Sequence, residues 1–245
     1  MLNSFIRSQE YRVVYGISLG PRDALHIARL KLVHECLPPA RKIVDLGGAS
    51  NADQSEGALL AMGHPHRPCE VLIVDLRPVK RVTGITGAES APVYASDDGA
   101  QVSYLYQSMA QPLPLEGGSA DMVFSGESIE HVTETEAALI CEEAFRILKP
   151  GGHFCLDTPN EALTRLESPN KYLHPEHRKE YQVPELRAKL ERASFTIVQE
   201  AEICPMPETL RTHRFDSSEL ITNCRLSETP EEGYLFYLHA MKADK

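Results

Sequence analysis

The 245-residue sequence predicts a single α/β domain built on a doubly wound sheet of seven strands, with helices on both faces. Three observations carry this. Short β-branched apolar runs take turns with longer stretches of helical periodicity. Helical segments separate the first five strands, as a parallel sheet requires. The first strand runs directly into the glycine pair Gly47-Gly48, the kind of edge at which open α/β sheets receive ligands. No internal repeat or low-complexity tract competes with this reading.

Each element follows from its local pattern. Asp23–Cys36 places Leu25, Ala28, Leu32 and Cys36 on one helical stripe, and Pro38-Pro39 end it. Arg41–Leu46 is the first predicted strand, Glu70–Leu76 the second and Gln101–Gln107 the third. Ala120–Ser125, entered through Gly117-Gly118, is the fourth. A helix over Glu134–Leu148 turns Ala138, Ile140, Cys141, Ala144, Phe145 and Leu148 inward, and Pro150-Gly151-Gly152 stop it. His153–Asp157 is the fifth strand, and the polar stretch Thr158–Gln182 follows. Pro184–Ala193 reads as a helix capped from the preceding turn, Phe195–Ala201 as the sixth strand and Gly233–Met241 as the seventh. The polar, Pro-containing piece Cys204–Glu232 is either a loop excursion or a small cap.

Composition narrows the function classes. At 42% hydrophobic and 24% charged residues the chain is ordinary globular protein. No apolar run approaches the ~20 residues that span a bilayer. The opening MLNSFIRSQEYR lacks the apolar core of a signal peptide, so a cytoplasmic setting is expected. Six cysteines are scattered with no CxxC pair, which argues against a zinc site or redox motif. A net charge of -10 disfavours nucleic acid as a partner. Arg211–Arg214 is a local basic patch, best read as a solvated loop.

Two carboxylates carry the chemistry. A pyrophosphate-binding turn would need G-x-G-x-x-G, whereas this loop reads D-L-G-G-A-S. Asp45 beside small residues suits a ligand with a cationic group. Asp75 ends the second strand thirty residues later, the spacing of one βαβ unit, where a carboxylate accepts the hydroxyls of a ribose. The alternatives are a tight strand-to-helix turn and a surface Asp before Arg77-Pro78.

At this point the chain resembles class I S-adenosylmethionine-dependent methyltransferases of the broad bacterial small-molecule and glycan group. The resemblance rests on four blocks in order: IVDLGGAS (Ile43–Ser50), VLIVDLRP (Val71–Pro78), PLPLEGGSADMVFSGESIEHV (Pro112–Val132) and EEAFRILKPGGHFCLDTPN (Glu142–Asn160). It implies a Rossmann-like sheet with an antiparallel last strand, and S-adenosyl-L-methionine as cofactor with S-adenosyl-L-homocysteine as product. Asp45, Gly47 and Gly48 would line the amino-acid end of the cofactor. Asp75 would hold the ribose, with Leu76 against the adenine. Ser125 and Gly126 would pass beneath the methionine part. Where the family often carries an acidic residue facing the adenine amine, this chain has Met109 and Ala110.

The implied organisation is a helical lid over residues 1–40, a cofactor core over 41–157, and acceptor-side loops with the last two strands over 158–245. Tyr11, Arg12 and Tyr15 are lid candidates, with core packing as the other reading. The expected activity is methyl transfer to a small-molecule or glycan-like acceptor, at oxygen, by a monomer or homodimer. In-line displacement from a sulfonium asks mainly for positioning, and a base matters when the acceptor is a hydroxyl. His131, Asp157 and His177 are the catalytic candidates, with His174 nearby. His174, Glu176 and His177 could ligate a metal with Asp157, but their spacing matches no ligand signature, so no metal is expected. The competing readings are a catalytically silent scaffold, which predicts a damaged cofactor site, aminopropyl transfer on the same fold, and a dehydrogenase, which the missing G-x-G-x-x-G disfavours.

Overall fold

A computed structural model describes residues 20–49, 57–68, 70–76, 89–90, 94–95 and 99–244. The seven predicted strands all form: β1 (Lys42–Leu46), β2 (Glu70–Asp75), β5 (Gln101–Tyr106), β6 (Ala120–Gly126), β7 (Leu148–Pro159), β8 (Phe195–Pro205) and β10 (Gly233–Lys242). Three two-residue strands extend the sheet: β3 (Glu89–Ser90), β4 (Tyr94–Ala95) and β9 (Leu226–Ser227). Among the described residues the order is β3-β5-β2-β1-β6-β7-β10-β8-β9, with β4 also on β5. The run β5-β2-β1-β6-β7 is parallel. β10 is antiparallel to both β7 and β8, as the resemblance implies.

The central strands are apolar on both sides because both faces are covered. Ile43, Ile73, Met122 and Phe124 pack on one face, and Val44, Val74, Val123 and Phe154 on the other. Helix α1 (Pro21–Glu35) starts on a proline, with the Asp23 carboxylate accepting from the Gly20 N–H at 3.1 Å. The short α2 (Gly57–Ala61) follows β1. Helix α3 (Glu134–Ile147) is closed by a capping box, the Thr133 N–H donating to Glu136 at 2.8 Å. Helices α4 (Glu161–Glu167) and α5 (Val183–Arg192) lie between β7 and β8.

Three expectations are corrected. The buried stripe of α3 is Ala137, Ile140, Cys141, Ala144 and Ile147; Ala138 and Phe145 stand at its rim. On α1 the buried residues are Ala24, Ala28, Leu30, Leu32 and Val33, which leaves Leu25 and Cys36 half-buried. Pro150-Gly151-Gly152 do end α3, but they lie within β7, where the register to β6 shifts between Ala120 and Met122. The piece 204–232 folds as a small cap: α6 (Pro207–Thr212), α7 (Ser218–Thr222), β9 and a 3-10 turn at Pro230–Glu232. Tyr11, Arg12, Tyr15, Ser50, Cys69, Arg77 and Pro78 lie outside the described residues. Among those described, no helix is long and apolar enough to cross a membrane.

Candidate active site

Two clefts open where the parallel strands end. The first, about 440 Å³, is lined by Gly47, Ala49, Asp75, Leu76 and Met109 on one side and by Glu127, Ser128 and His131 on the other. Its floor is the β1 turn. Gly47 sits at φ 78°, its N–H donating to Val74 O at 2.8 Å, and a Cβ there would lie 2.6 Å from Ser128 Cβ. A Cβ on Gly48 would lie 2.0 Å from Asp45 Oδ2. Both glycines are therefore required by close approach. Asp45 is 1% exposed, and neither carboxylate oxygen has a hydrogen-bond partner among the described residues. Burial first, and the neighbouring Asp75 second, push its carboxyl up to about 7. Such a group fits a cation delivered by a ligand.

Asp75 is already part of the turn. Its Oδ2 accepts from Ala49 N–H at 3.1 Å and its Oδ1 from Leu76 N–H at 2.6 Å. Ser125 is buried beneath the cleft, 2.6 Å from Ser128 Oγ, which donates to Leu46 O at 2.7 Å and so ties β6 to β1. Met109 lines the cleft, whereas Ala110 packs against the apolar core behind it.

Gly126 and the residue after it meet a side chain that sequence reasoning missed. Arg29 of α1 donates from Nε to Asp157 Oδ2 at 2.7 Å and pairs through Nη1 with Glu127 Oε2 at 2.6 Å. A Cβ on Gly126 would come within 2.9 Å of Arg29 Nη2. Asp157 is fully buried and lines neither cleft. Burial raises its carboxyl while Arg29 opposes the rise. Its place is in an internal ion pair. The exposed partner of that pair is Glu127, held in a left-handed conformation at φ 47°, and it lines both clefts.

The second cleft, about 980 Å³, is larger and half apolar. Leu25, Leu173, Phe215, Leu220, Tyr234 and Leu235 form its walls. Glu130, His131, His174 and His177 line it as well, and of these His131 also lines the first cleft. The ring of His131 lies 5.0 Å from that of His177 and 6.1 Å from that of His174. Burial, then His177, lowers the pKa of His131. His177 Nδ1 is 2.7 Å from Glu180 Oε1. Glu180 also accepts from Thr164 Oγ1 and from Leu173 N–H. Burial alone would raise the Glu180 carboxyl, but these three bonds outweigh it and leave it low. The Nδ1 edge of His177 is thus fixed by Glu180, on the wall of the second cleft. Glu130 is 1% exposed and accepts from Thr158 Oγ1 at 2.9 Å, and burial pushes its carboxyl up to about 8.

The structure thus places Gly47, Asp75, Leu76 and Met109 on the lining of one cleft, with Gly48 and the buried Asp45 in the turn behind it, and His131 and His177 on the lining of the next. The sequence held one hint of Arg29, a charge on the inward side of an amphipathic helix. It held none that singled out Glu180 within the titratable run 173–181.

Comparison with known proteins agrees with this geometry. A family model described as a methyltransferase domain matches residues 65–156. The chain is 32% identical over 126 residues to a probable S-adenosylmethionine-dependent methyltransferase of Mycolicibacterium smegmatis, covering 51% of this chain and 47% of that protein. It is 30% identical over 145 residues to a ubiquinone biosynthesis O-methyltransferase of Xanthomonas axonopodis pv. citri, covering 58% and 54%. The chain spans about half the length of these curated relatives. Its fold is similar to that of a Thermotoga maritima S-adenosylmethionine-dependent methyltransferase, described as a possible histamine N-methyltransferase, with a TM-score of 0.61 at 17% identity over 98% of this chain and 97% of that one. Residues 65–156 match a methyltransferase domain, the curated relatives of the matching half are methyltransferases, and the sheet is the fold of such a protein: over this region the chain is similar to class I S-adenosylmethionine-dependent methyltransferases.

Proposed function

We propose that the chain transfers the methyl group of S-adenosylmethionine to an oxygen of a small-molecule or glycan-like acceptor. The observation that carries this is the junction of the two clefts at Glu127 and His131, which gives cofactor and acceptor separate chambers with one shared wall. The curated relatives include an O-methyltransferase, which supports oxygen as the accepting atom. When bound, the cofactor supplies a methyl group already activated on a sulfonium. The chain's own residues bind and orient. The unpartnered Asp45 carboxylate answers the cationic end of the cofactor, and the glycine pair admits its backbone contacts. Asp75 takes the ribose hydroxyls. The walls of the second cleft hold the acceptor's apolar part, and the acceptor proton leaves towards His131 and His177, the latter oriented by Glu180. Positioning contributes most of the rate, and a base adds roughly 10²–10⁴-fold.

The test is binding followed by turnover. Titration with S-adenosylmethionine, S-adenosylhomocysteine and NADH should raise thermal stability with the first two alone. No response to either sinks the reading. Asp75→Ala should weaken S-adenosylhomocysteine binding by about 1–3 kcal/mol; unchanged affinity removes the ribose assignment. A catalytically silent scaffold predicts a damaged cofactor turn, and Asp45, Gly47, Gly48 and Asp75 stand in place.

A further inference from the structure

The second cleft contains a set of side chains that proton transfer alone does not account for. Glu130, His131 and His177 each offer one ligand atom, and the three atoms lie within 4.8 Å of one another. They come from two separate stretches of chain, the 3-10 turn Ile129–His131 after β6 and the loop before α5. The stretches are locked together, because Glu130 O accepts from the N–H groups of Arg178 at 2.7 Å and Lys179 at 3.2 Å. Two of the three side chains are oriented by a second partner behind them: Thr158 Oγ1 holds Glu130 Oε2, and Glu180 holds His177 Nδ1. Those bonds leave Glu130 Oε1 and His177 Nε2 unoccupied by either partner. A carboxylate behind a ligating imidazole is the usual outer shell of a metal site, since it fixes the tautomer and raises the basicity of the free nitrogen.

We propose that Glu130, His131 and His177 bind one divalent transition-metal ion on the wall between the two clefts, and that the ion's open positions face the acceptor. Two imidazoles and one carboxylate select zinc, cobalt, nickel, iron or manganese over magnesium and calcium, which prefer all-oxygen shells. Ligands about 2.1 Å from a common tetrahedral ion stand roughly 3.4 Å apart, so the cluster tightens by small rotations of the imidazoles as the ion enters. Glu127 is not counted, because Arg29 already takes its carboxylate at 2.6 Å. An ion here would bind the accepting hydroxyl directly. It would lower that hydroxyl's pKa, so that with the ion bound the two imidazoles serve as ligands and the O–H proton leaves to water, and only in the ion-free chain does the proton leave towards His131 and His177.

This rests on the second cleft being the acceptor site, but the ion can be tested without turnover. Chelator-treated, dialysed full-length chain is titrated with Zn²⁺ and Co²⁺ by calorimetry, and the Co²⁺ complex is followed by its visible absorption. One ion per chain is expected. Glu180→Gln, which removes only the carboxylate behind His177, should weaken binding 10–100-fold and change the Co²⁺ spectrum. A Glu130→Gln/His177→Ala double variant should lose the ion while still binding S-adenosylhomocysteine, because neither residue lines the first cleft. An absence of ion binding, or equal binding by the double variant, overturns the site. A chain that takes up the ion at these residues but not S-adenosylhomocysteine keeps the site and overturns the methyl-transfer reading.

Discussion

Asp45 shows how a residue can be costly to the fold and useful to the ligand. Its carboxyl is buried, without a hydrogen-bond partner among the described residues, and is raised to about 7. For an acid with a raised folded pKa, the stability contribution is full below the ordinary carboxylate range and is lost as pH rises through about 7. Ligand binding has the opposite slope. A cationic group placed against Asp45 ionises it, so affinity for S-adenosylhomocysteine should climb from pH 5.5 to 7 and level off above, with a proton released at the lower pH. Calorimetry in buffers of different ionisation enthalpy reads both quantities; a flat profile would separate Asp45 from the cationic group. Arg29 is the reverse case. Its removal in Arg29→Met leaves Asp157 buried and unpaired, at a cost of about 3–5 kcal/mol in chemical denaturation. Arg29→Lys should recover part of this, since it restores the charge without the two-pronged geometry.

At the scale of elements, capping and periodicity explain what the sequence made legible. Thr133 and Glu136 form the capping box that starts α3. Thr133→Ala should cost about 1 kcal/mol of stability and leave S-adenosylhomocysteine affinity unchanged, since the cap stands outside both clefts. The strands were legible because β-branched runs buried on both faces leave few alternatives. The inward faces of α1 and α3 were read less well. A stripe of small and apolar residues is compatible with two neighbouring phases, and the packing partners decide between them. Asp157 misled for a related reason. Its place at the end of β7 was correct, but which way it turns depends on Arg29, which lies 128 residues away in sequence.

At the scale of the whole molecule, most of the first cleft's lining was legible as blocks of sequence and the second cleft's was not. The first cleft draws mainly on strand ends and the turns after them, at Gly47, Asp75, Ser108 and Glu127, and adds only Pro175, Glu176 and Arg178 from the loop before α5. The second cleft draws on α1, the loop before α5, the cap over 204–232 and β10. Such a site emerges only from the assembled chain. Its independence can be measured: Phe215→Ala should raise the acceptor KM several-fold while the S-adenosylhomocysteine Kd stays fixed, because Phe215 lines only the second of the two clefts. A parallel change in both constants would show that the clefts are one.

The placement of β10 between β7 and β8 has a consequence in time. A ribosome delivers β8 well before β10, yet among the described residues β8 reaches the rest of the sheet only through β10. Until then an eleven-residue strand must wait with an open edge, flanked by only the two-residue β9. Such an edge is a template for the wrong neighbour. The nascent chain is therefore most exposed to misassembly during the stretch of translation that makes the cap, and it passes out of danger when Gly233–Lys242 slides into the gap.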